Sequence, residues 1–194
     1  MSEHDVTLAG STIHLVPARV EDAAELWPLT DDALWRGMTQ PRPASVAEHA
    51  AHLARQLATP GLLAFTVRDA VTGSARGATT LYDLVPAQRR VEIGSTWYGR
   101  AWWGGRTNPE AKLLLFSHAF DALGLERVAL RCDVRNERSA RAIRRLGATP
   151  EGVLRRHRVA ADGTVGDTAY FSVLRDEWPE VRAGLEDRLA PRAD

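Results

Sequence analysis

Residues 101–112 of this 194-residue chain, AWWGGRTNPEAK, have the types and spacing to hold an anion. Asn108 is a good helix N-cap, Pro109 suits the first helical position and Glu110 follows in the first turn, so the spacing predicts a helix starting there. Ahead of it, Gly104-Gly105 lets the backbone turn so that several N–H groups converge, where unpaired donors and the helix dipole act together on negative charge. Arg106 and Arg100 would add charge-assisted contacts to phosphate oxygens. The same residues also suit a connection that binds nothing, in which Glu110 merely complements the dipole. An anion at this place requires the Glu110 carboxylate to point away. The stretch matches neither the dinucleotide fingerprint nor G-x-x-x-x-G-K-[ST].

A second constellation is LERVALRCDVRNERSARAIRRLGA, residues 125–148. Val128, Leu130, Cys132 and Val134 alternate on one strand face, and the strand runs through Arg135-Asn136 into a helix. On that helix Ser139, Ala142, Ile143 and Leu146 share a face, which turns the Ser139 hydroxyl inward. Asn136, at the junction, reads either as an N-cap or as an amide that meets a ligand. Other reactive types carry less. His49 and His52 stand three apart on a helix without further ligands nearby, so no metal is expected. His118 reads as a half-exposed helix residue, Cys132 as core, and Arg138, Arg141 and Arg145 as a solvated basic stripe.

The chain as a whole narrows the function classes. Apolar residues at 44% and charged ones at 26% describe a globular protein rather than a disordered one. Lys and Arg, 25 together, balance 25 Asp and Glu, so no net field draws the chain to nucleic acid or membrane, and neither partner is expected. There is no signal-like start and no apolar run of membrane-spanning length. Cys132 is the only cysteine, so an internal disulfide is excluded and a cytoplasmic location is expected.

The elements that must position these residues follow from periodicity and caps. A strand is expected over 12–17, a helix over 22–29 that Pro28 ends or kinks, and a loop over 31–43. Ser45 and Glu48 form a capping-box start for a helix to about Leu57. Strands over 63–69, 76–84 and 90–98 read as an antiparallel meander. A helix over 108–123 ended by Gly124, a strand over 127–134, a helix over 137–146, strands over 153–160 and 168–174, and a polar helix over 178–189 complete one α/β domain spanning residues 1–194.

Strand, glycine loop, helix, strand, then an N-x-x-S helix ending in Leu-Gly resembles the GNAT superfamily of acetyl-CoA-dependent N-acetyltransferases, and most of all its RimJ/RimL-type branch. The resemblance covers nearly the whole chain and is most specific in residues 91–120 and 135–157. It implies a mixed, mostly antiparallel sheet of about seven strands flanked by helices, and direct transfer of an acetyl group from acetyl-CoA to an amine in a ternary complex, with no metal. It also implies residue roles. Glu92 is the candidate base for the amine, directly or through water. Ser139 would stabilise the leaving thiolate, with Tyr170 a reserve acid. Trp97 and Tyr98 would offer backbone amides to the pantetheine arm, and Gly104, Gly105, Arg106, Thr107, Asn108 and Asn136 would hold the rest of the cofactor. The chain departs from the family's Q/R-x-x-G-x-G/A loop at Trp103, Arg106 and Asn108, which puts individual loop contacts in question. Acceptor pockets in the family lie where this chain has residues 31–43 and 155–168, with Trp35, Met38 and Arg42 as candidate lining. A homodimer follows by analogy. Succinyl or another acyl group, and a non-catalytic CoA-binding module, are the alternatives.

Overall fold

The computed structural model describes residues 4–191. Eight strands form one sheet in the order β1-β2-β3-β4-β5-β6-β8-β7. They are β1 (Leu8–Ala9), β2 (Ile13–Pro17), β3 (Leu63–Asp69), β4 (Ala75–Val85), β5 (Arg90–Tyr98), β6 (Arg127–Asp133), β7 (Thr149–Val159) and β8 (Val165–Leu174). The meander of β3, β4 and β5 is antiparallel as its turn signals imply, and the added strand relative to the sequence reading is the two-residue β1. Among the described residues only β5 and β6 pair in parallel, because a helical crossover joins them.

Among the described residues six α-helices flank the sheet: α1 (Ala23–Leu26), α2 (Asp32–Trp35), α3 (Val46–Leu57), α4 (Thr107–Ser117), α5 (Glu137–Arg144) and α6 (Trp178–Leu189). Strand alternation sends Val91, Ile93, Val128 and Leu130 to one face, where they join Leu115, Phe116, Phe120 and Trp178 in the main core. The opposite face carries a smaller cluster of Leu26, Leu34, Trp35, Leu53 and Trp97, packed under α1 and α3. Phe120 stacks on Trp178 with centroids 5.6 Å apart, and burying such a ring contributes about 1.5–3 kcal/mol.

Three local expectations are corrected. The segment over 22–29 is not one helix but α1 between two single 3₁₀ turns, Val20–Asp22 and Trp27–Leu29, the latter holding Pro28. Residues 31–43 are not wholly loop: Asp31 caps α2 by accepting from Leu34 N at 2.9 Å. The N-cap of α4 is Arg106, not Asn108, so Asn108 and Pro109 lie inside the first turn. Proline fits there because the N–H it lacks would have had no intrahelical partner. Beyond Ser117 the helix widens into a π-helical turn, with Leu123 N donating to His118 O at 2.9 Å, and Gly124 ends it at φ +65°.

The feature that creates a site is a bulge. Opposite β4, Ala78 pairs with Trp97 and Thr80 with Gly94, so β5 has one residue more than its partner. Ser95 takes it up at φ +46°. Pairing of β5 with β6 stops at Ile93 and Leu130, just short of that bulge, whereas β6 goes on pairing with β8 as far as Asp133 and Thr168. The two central strands therefore part company, and a cleft opens between residues 94–98 and 131–133. Gly77 makes that path possible, since a Cβ there would lie 2.1 Å from Trp97 O and 2.7 Å from Tyr98 Cα. Gly77→Ala is expected to lower stability by about 1–3 kcal/mol, measured by urea denaturation. An unchanged midpoint would show that β4 and β5 have room to separate.

Candidate active site

The loop that enters α4 sits at the end of β5, at the mouth of this cleft. A single turn over Arg100–Trp102 is followed by Gly104 at φ +73°, a conformation natural for glycine. Among the described residues, the N–H groups of Gly104, Gly105, Arg106, Thr107 and Asn108 find no backbone acceptor, and the N-cap offers no side-chain bond. Five successive free amides before a helix make a concavity suited to phosphate oxygens. Glu110 is turned away from it. Its carboxylate accepts from Thr12 N at 2.8 Å and from the hydroxyls of Ser11 and Thr12 in the β1–β2 turn. Burial opposes its ionisation, yet these donors prevail and hold the carboxyl below its usual range.

The arginines of the loop have other partners. Arg106 donates to Leu189 O at the end of α6, and Arg100 pairs with Asp31 at 2.5 Å. The Arg100 hydrogen bond, helped by Leu34 N, brings Asp31 down to about 2. Trp103 stands where the family loop has Gln or Arg, and it organises the mouth of the cleft. Its Nε1 donates to Tyr98 O at 2.7 Å, and its ring lies 3.8 Å from the Arg138 guanidinium and 5.0 Å from that of Arg100. This stack links the loop to the start of α5. Thr107 accepts from Arg76 Nη1 at 3.1 Å, which fixes the first turn of α4 to β4.

The cleft walls hold the other expected residues. Trp97 packs in the smaller cluster and Tyr98 in the main core, where burial pushes the phenol up. Asn136 is the N-cap of α5, its Oδ1 accepting from Ser139 N at 3.0 Å. The other end of its amide packs against Gly37, with Nδ2 only 2.5 Å from where a Cβ there would lie. Ser139 is half-buried beside Cys132, whose thiol is pushed up by burial and drawn down by the Ser139 hydroxyl.

Glu92 lies on the opposite face of the sheet from Ser139, one pair before the strands part. It is 5% exposed, accepts from the Tyr82 hydroxyl, and pairs with Arg131 Nε at 2.8 Å. Burial raises its pKa, with Tyr82 and Arg131 pulling the other way. Arg131 also donates to the Tyr170 hydroxyl at 2.7 Å, and its guanidinium is within 6 Å of both phenol rings. Tyr170 is half-buried, with its hydroxyl held by Arg131. Sequence reasoning did not reach Tyr82 or Arg131. Alternation with Leu130 and Cys132 puts Arg131 on the polar face, but its register with Glu92 depends on a long-range parallel pairing.

The two segments expected to form an acceptor pocket do meet. A cavity of about 560 Å³ is lined by Trp35, Arg36 and Arg42 from one, by Ala160 and Asp162 from the other, and by Asn136 between them. Met38 borders a different, smaller cavity under α3.

A central sheet that splits beside a free-amide loop is the geometry to set against known proteins, and residues 12–149 match the Acetyltransferase (GNAT) domain. The chain belongs to the GNAT acetyltransferase domain family. Among its relatives is YdaF of Bacillus subtilis, named as a ribosomal N-acetyltransferase, 34% identical over 55% of this chain and 57% of that one. The GNAT chain thus spans little more than half the length of the curated relatives it matches. A crystal structure from T. thermophilus, described as an acetyltransferase, superposes with TM-score 0.88 at 34% identity, covering 98% of this chain and 100% of that one. Mycobacterium smegmatis RimJ, solved with CoA-disulfide, shares the fold at TM-score 0.79 and 22% identity, covering 94% of each chain. The RimJ/RimL-like character read from the sequence agrees with the name of YdaF, and RimJ adds a likeness of fold. No helix among the described residues is long and apolar enough to cross a membrane.

Proposed function

We propose that this GNAT domain transfers an acetyl group from acetyl-CoA to a primary amine, on a protein N-terminus or a small molecule, within a ternary complex. The observation that carries the reading is the row of free amides from Gly104 to Asn108 at the open end of the β5–β6 cleft. They would take the pyrophosphate, and Arg138, stacked on Trp103, adds a cation beside them. Unpaired backbone of residues 94–98 would run along the pantetheine arm, and Asn136 would turn its amide to it.

In the reaction the amine nitrogen attacks the thioester carbonyl carbon. An N–C bond forms, the C–S bond breaks, and the electron pair leaves on sulfur. The nitrogen gives up a proton, which Glu92 accepts directly or through water, and the thiolate is finally protonated, so the products are an amide and CoA thiol. A serine hydroxyl is too weak an acid to supply that proton, so Ser139 acts by hydrogen bonding to the departing sulfur. Backbone N–H groups at the β5 bulge would meet the oxyanion. No membrane or nucleic-acid contact enters this scheme, and a homodimer remains part of the proposal by analogy.

Gly105→Val tests the cofactor site. A Cβ at Gly105 has only Trp102 O near it, at 3.8 Å, so the new side chain stands in open space over the free amides without straining the loop. Calorimetric titration with acetyl-CoA should show about tenfold weaker binding, some 1.4 kcal/mol, at an unchanged melting temperature. Equal affinity in both proteins would place the phosphates elsewhere.

A further inference from the structure

The smaller cavity differs in kind from the large one. It has a volume of about 190 Å³, and its lining includes Ser95, the bulged residue where β5 leaves β6. No Asp, Glu, Lys or Arg lines it, whereas the large cavity is lined by three aspartates and four arginines. Its wall is made by Trp35, Trp97, His49, His52 and Thr80. The Trp35 ring stands edge-on to His49 with centroids 5.8 Å apart, and Trp97 lies 5.6 Å from Trp35 and 6.0 Å from His49.

His49 is the anomaly in this wall. It is 1% exposed, yet its Nδ1 has no hydrogen-bond partner among the described residues. A buried imidazole nitrogen left unpaired is costly, and natural interiors seldom leave one so without a reason. Among the described residues, no set of three or more ligating side chains gathers. Burial, and secondarily His52, brings its pKa down to about 4, so at neutral pH the ring is uncharged and keeps a lone pair to offer. His52 is lowered by the same burial.

We propose that this cavity receives the acceptor, and that His49 takes a hydrogen bond from it, selecting a weakly basic amine carried on an aromatic or apolar body. The inference rests on the transferase reading above and names its substrate class. An ammonium in the cavity would lose its water with no carboxylate in the wall to pair it, and attraction to the faces of Trp35 and Trp97 is weaker than that loss. A neutral amine loses little, and its N–H groups satisfy His49. Amines near pKa 7.7–8.0 keep a sizeable neutral fraction at pH 7.5, while a lysine side chain at about 10.4 keeps almost none. The walls discriminate in the same direction, because an apolar cavity of about 150 Å³ accepts a benzene ring. Spermidine and lysine side chains are therefore disfavoured, and the large cavity, where four arginines outnumber three aspartates, offers them no net negative charge either.

The test uses phenylalaninamide, spermidine and N-α-acetyl-lysine amide as acceptors, with CoA thiol release as the readout, on the full chain and on His49→Leu and His49→Asn. Asparagine returns an acceptor near the Nδ1 position, whereas leucine fills the volume without one. Phenylalaninamide should be the best of the three, its kcat/KM should drop about tenfold in His49→Leu, and His49→Asn should recover part of the loss. Affinity for desulfo-acetyl-CoA should be the same in all three proteins. Independently of turnover, the His49 ring signals in the NMR spectrum should move when phenylalaninamide is added. Undiminished turnover in His49→Leu, a preference for spermidine, or unmoved His49 signals would overturn the proposal. Thiol release that ignores His49 would leave the transferase reading standing without it. Shifted His49 signals without thiol release from any amine would do the reverse.

Discussion

Glu92→Gln is expected to lower kcat/KM for amine acetylation by about 10²–10⁴-fold, the range that a positioned general base supplies. The substitution keeps the shape of the side chain and an oxygen that accepts from Tyr82, so the β4–β5 register stays supported. What it removes is the proton acceptor. Arg131 loses its carboxylate partner but retains the Tyr170 hydroxyl, and at 36% side-chain exposure it also reaches water, so a large loss of stability is not expected. The pH profile separates a base from a structural anion. Burial raises the Glu92 carboxyl above its usual range, with Tyr82 and Arg131 only partly offsetting it. The base works only when ionised, so wild-type activity should fall as pH drops through that raised value. In Glu92→Gln this limb should vanish, while the limb due to protonation of the amine itself persists. A variant within threefold of wild type, with both limbs intact, would remove Glu92 from the chemistry and leave it as the anchor of Arg131.

How much of this was legible beforehand depends on the range of the interactions that decide each element. Strands β3 and β5 and helix α6 have the bounds read from the sequence, because β-branched alternation, turn residues and the Trp178-Pro179 start are local signals. Ser45 likewise caps α3 as its spacing implies, accepting from Glu48 N at 3.2 Å. The start of α4 misleads, since Asn108-Pro109 is a strong local signal that the Arg106 N-cap overrides within the first turn of backbone. Helix α2 escapes sequence reading because four residues carry no periodicity. At the site, the loop and Asn136 are visible as letters, and Glu92 only through the family likeness. The partners of Glu92 are not, because Tyr82 meets it through an antiparallel register and Arg131 through a parallel one set by a long helical crossover. In the sequence His49 is an ordinary helix histidine; that its ring is buried and unpaired is a fact of tertiary packing.

Lys112→Met is expected to stabilise the protein at neutral pH and to flatten the pH dependence of its stability. Lys112 lies one turn into α4, 5% exposed, with Nζ donating to Thr96 Oγ1 at 2.9 Å and no acid beside it. Burial alone brings the amine from 10.5 down to about 7. Above pH 10.5 it is neutral in the folded and the unfolded chain, and no penalty exists. Between 10.5 and 7 the unfolded chain binds a proton that the folded one refuses, so stability falls as pH falls. Below 7 both bind it and the penalty is constant, on the order of 5 kcal/mol. Methionine fills similar volume without a charge, and Thr96 keeps its bond to Thr79 Oγ1 at 2.8 Å. Denaturant curves at pH 6, 8 and 10 should therefore show the variant well above wild type at pH 6 and the two converging at pH 10. Parallel curves at all three values would mean that the amine stays protonated and solvated in the folded chain. The position gives the result its functional weight, because Thr96 follows the bulged Ser95 and α4 begins with the free amides. Lys112 thus joins the helix behind the free amides to the strand that opens the cleft, and a stabilised Met variant that binds acetyl-CoA more weakly would show stability given up there for the geometry of the site.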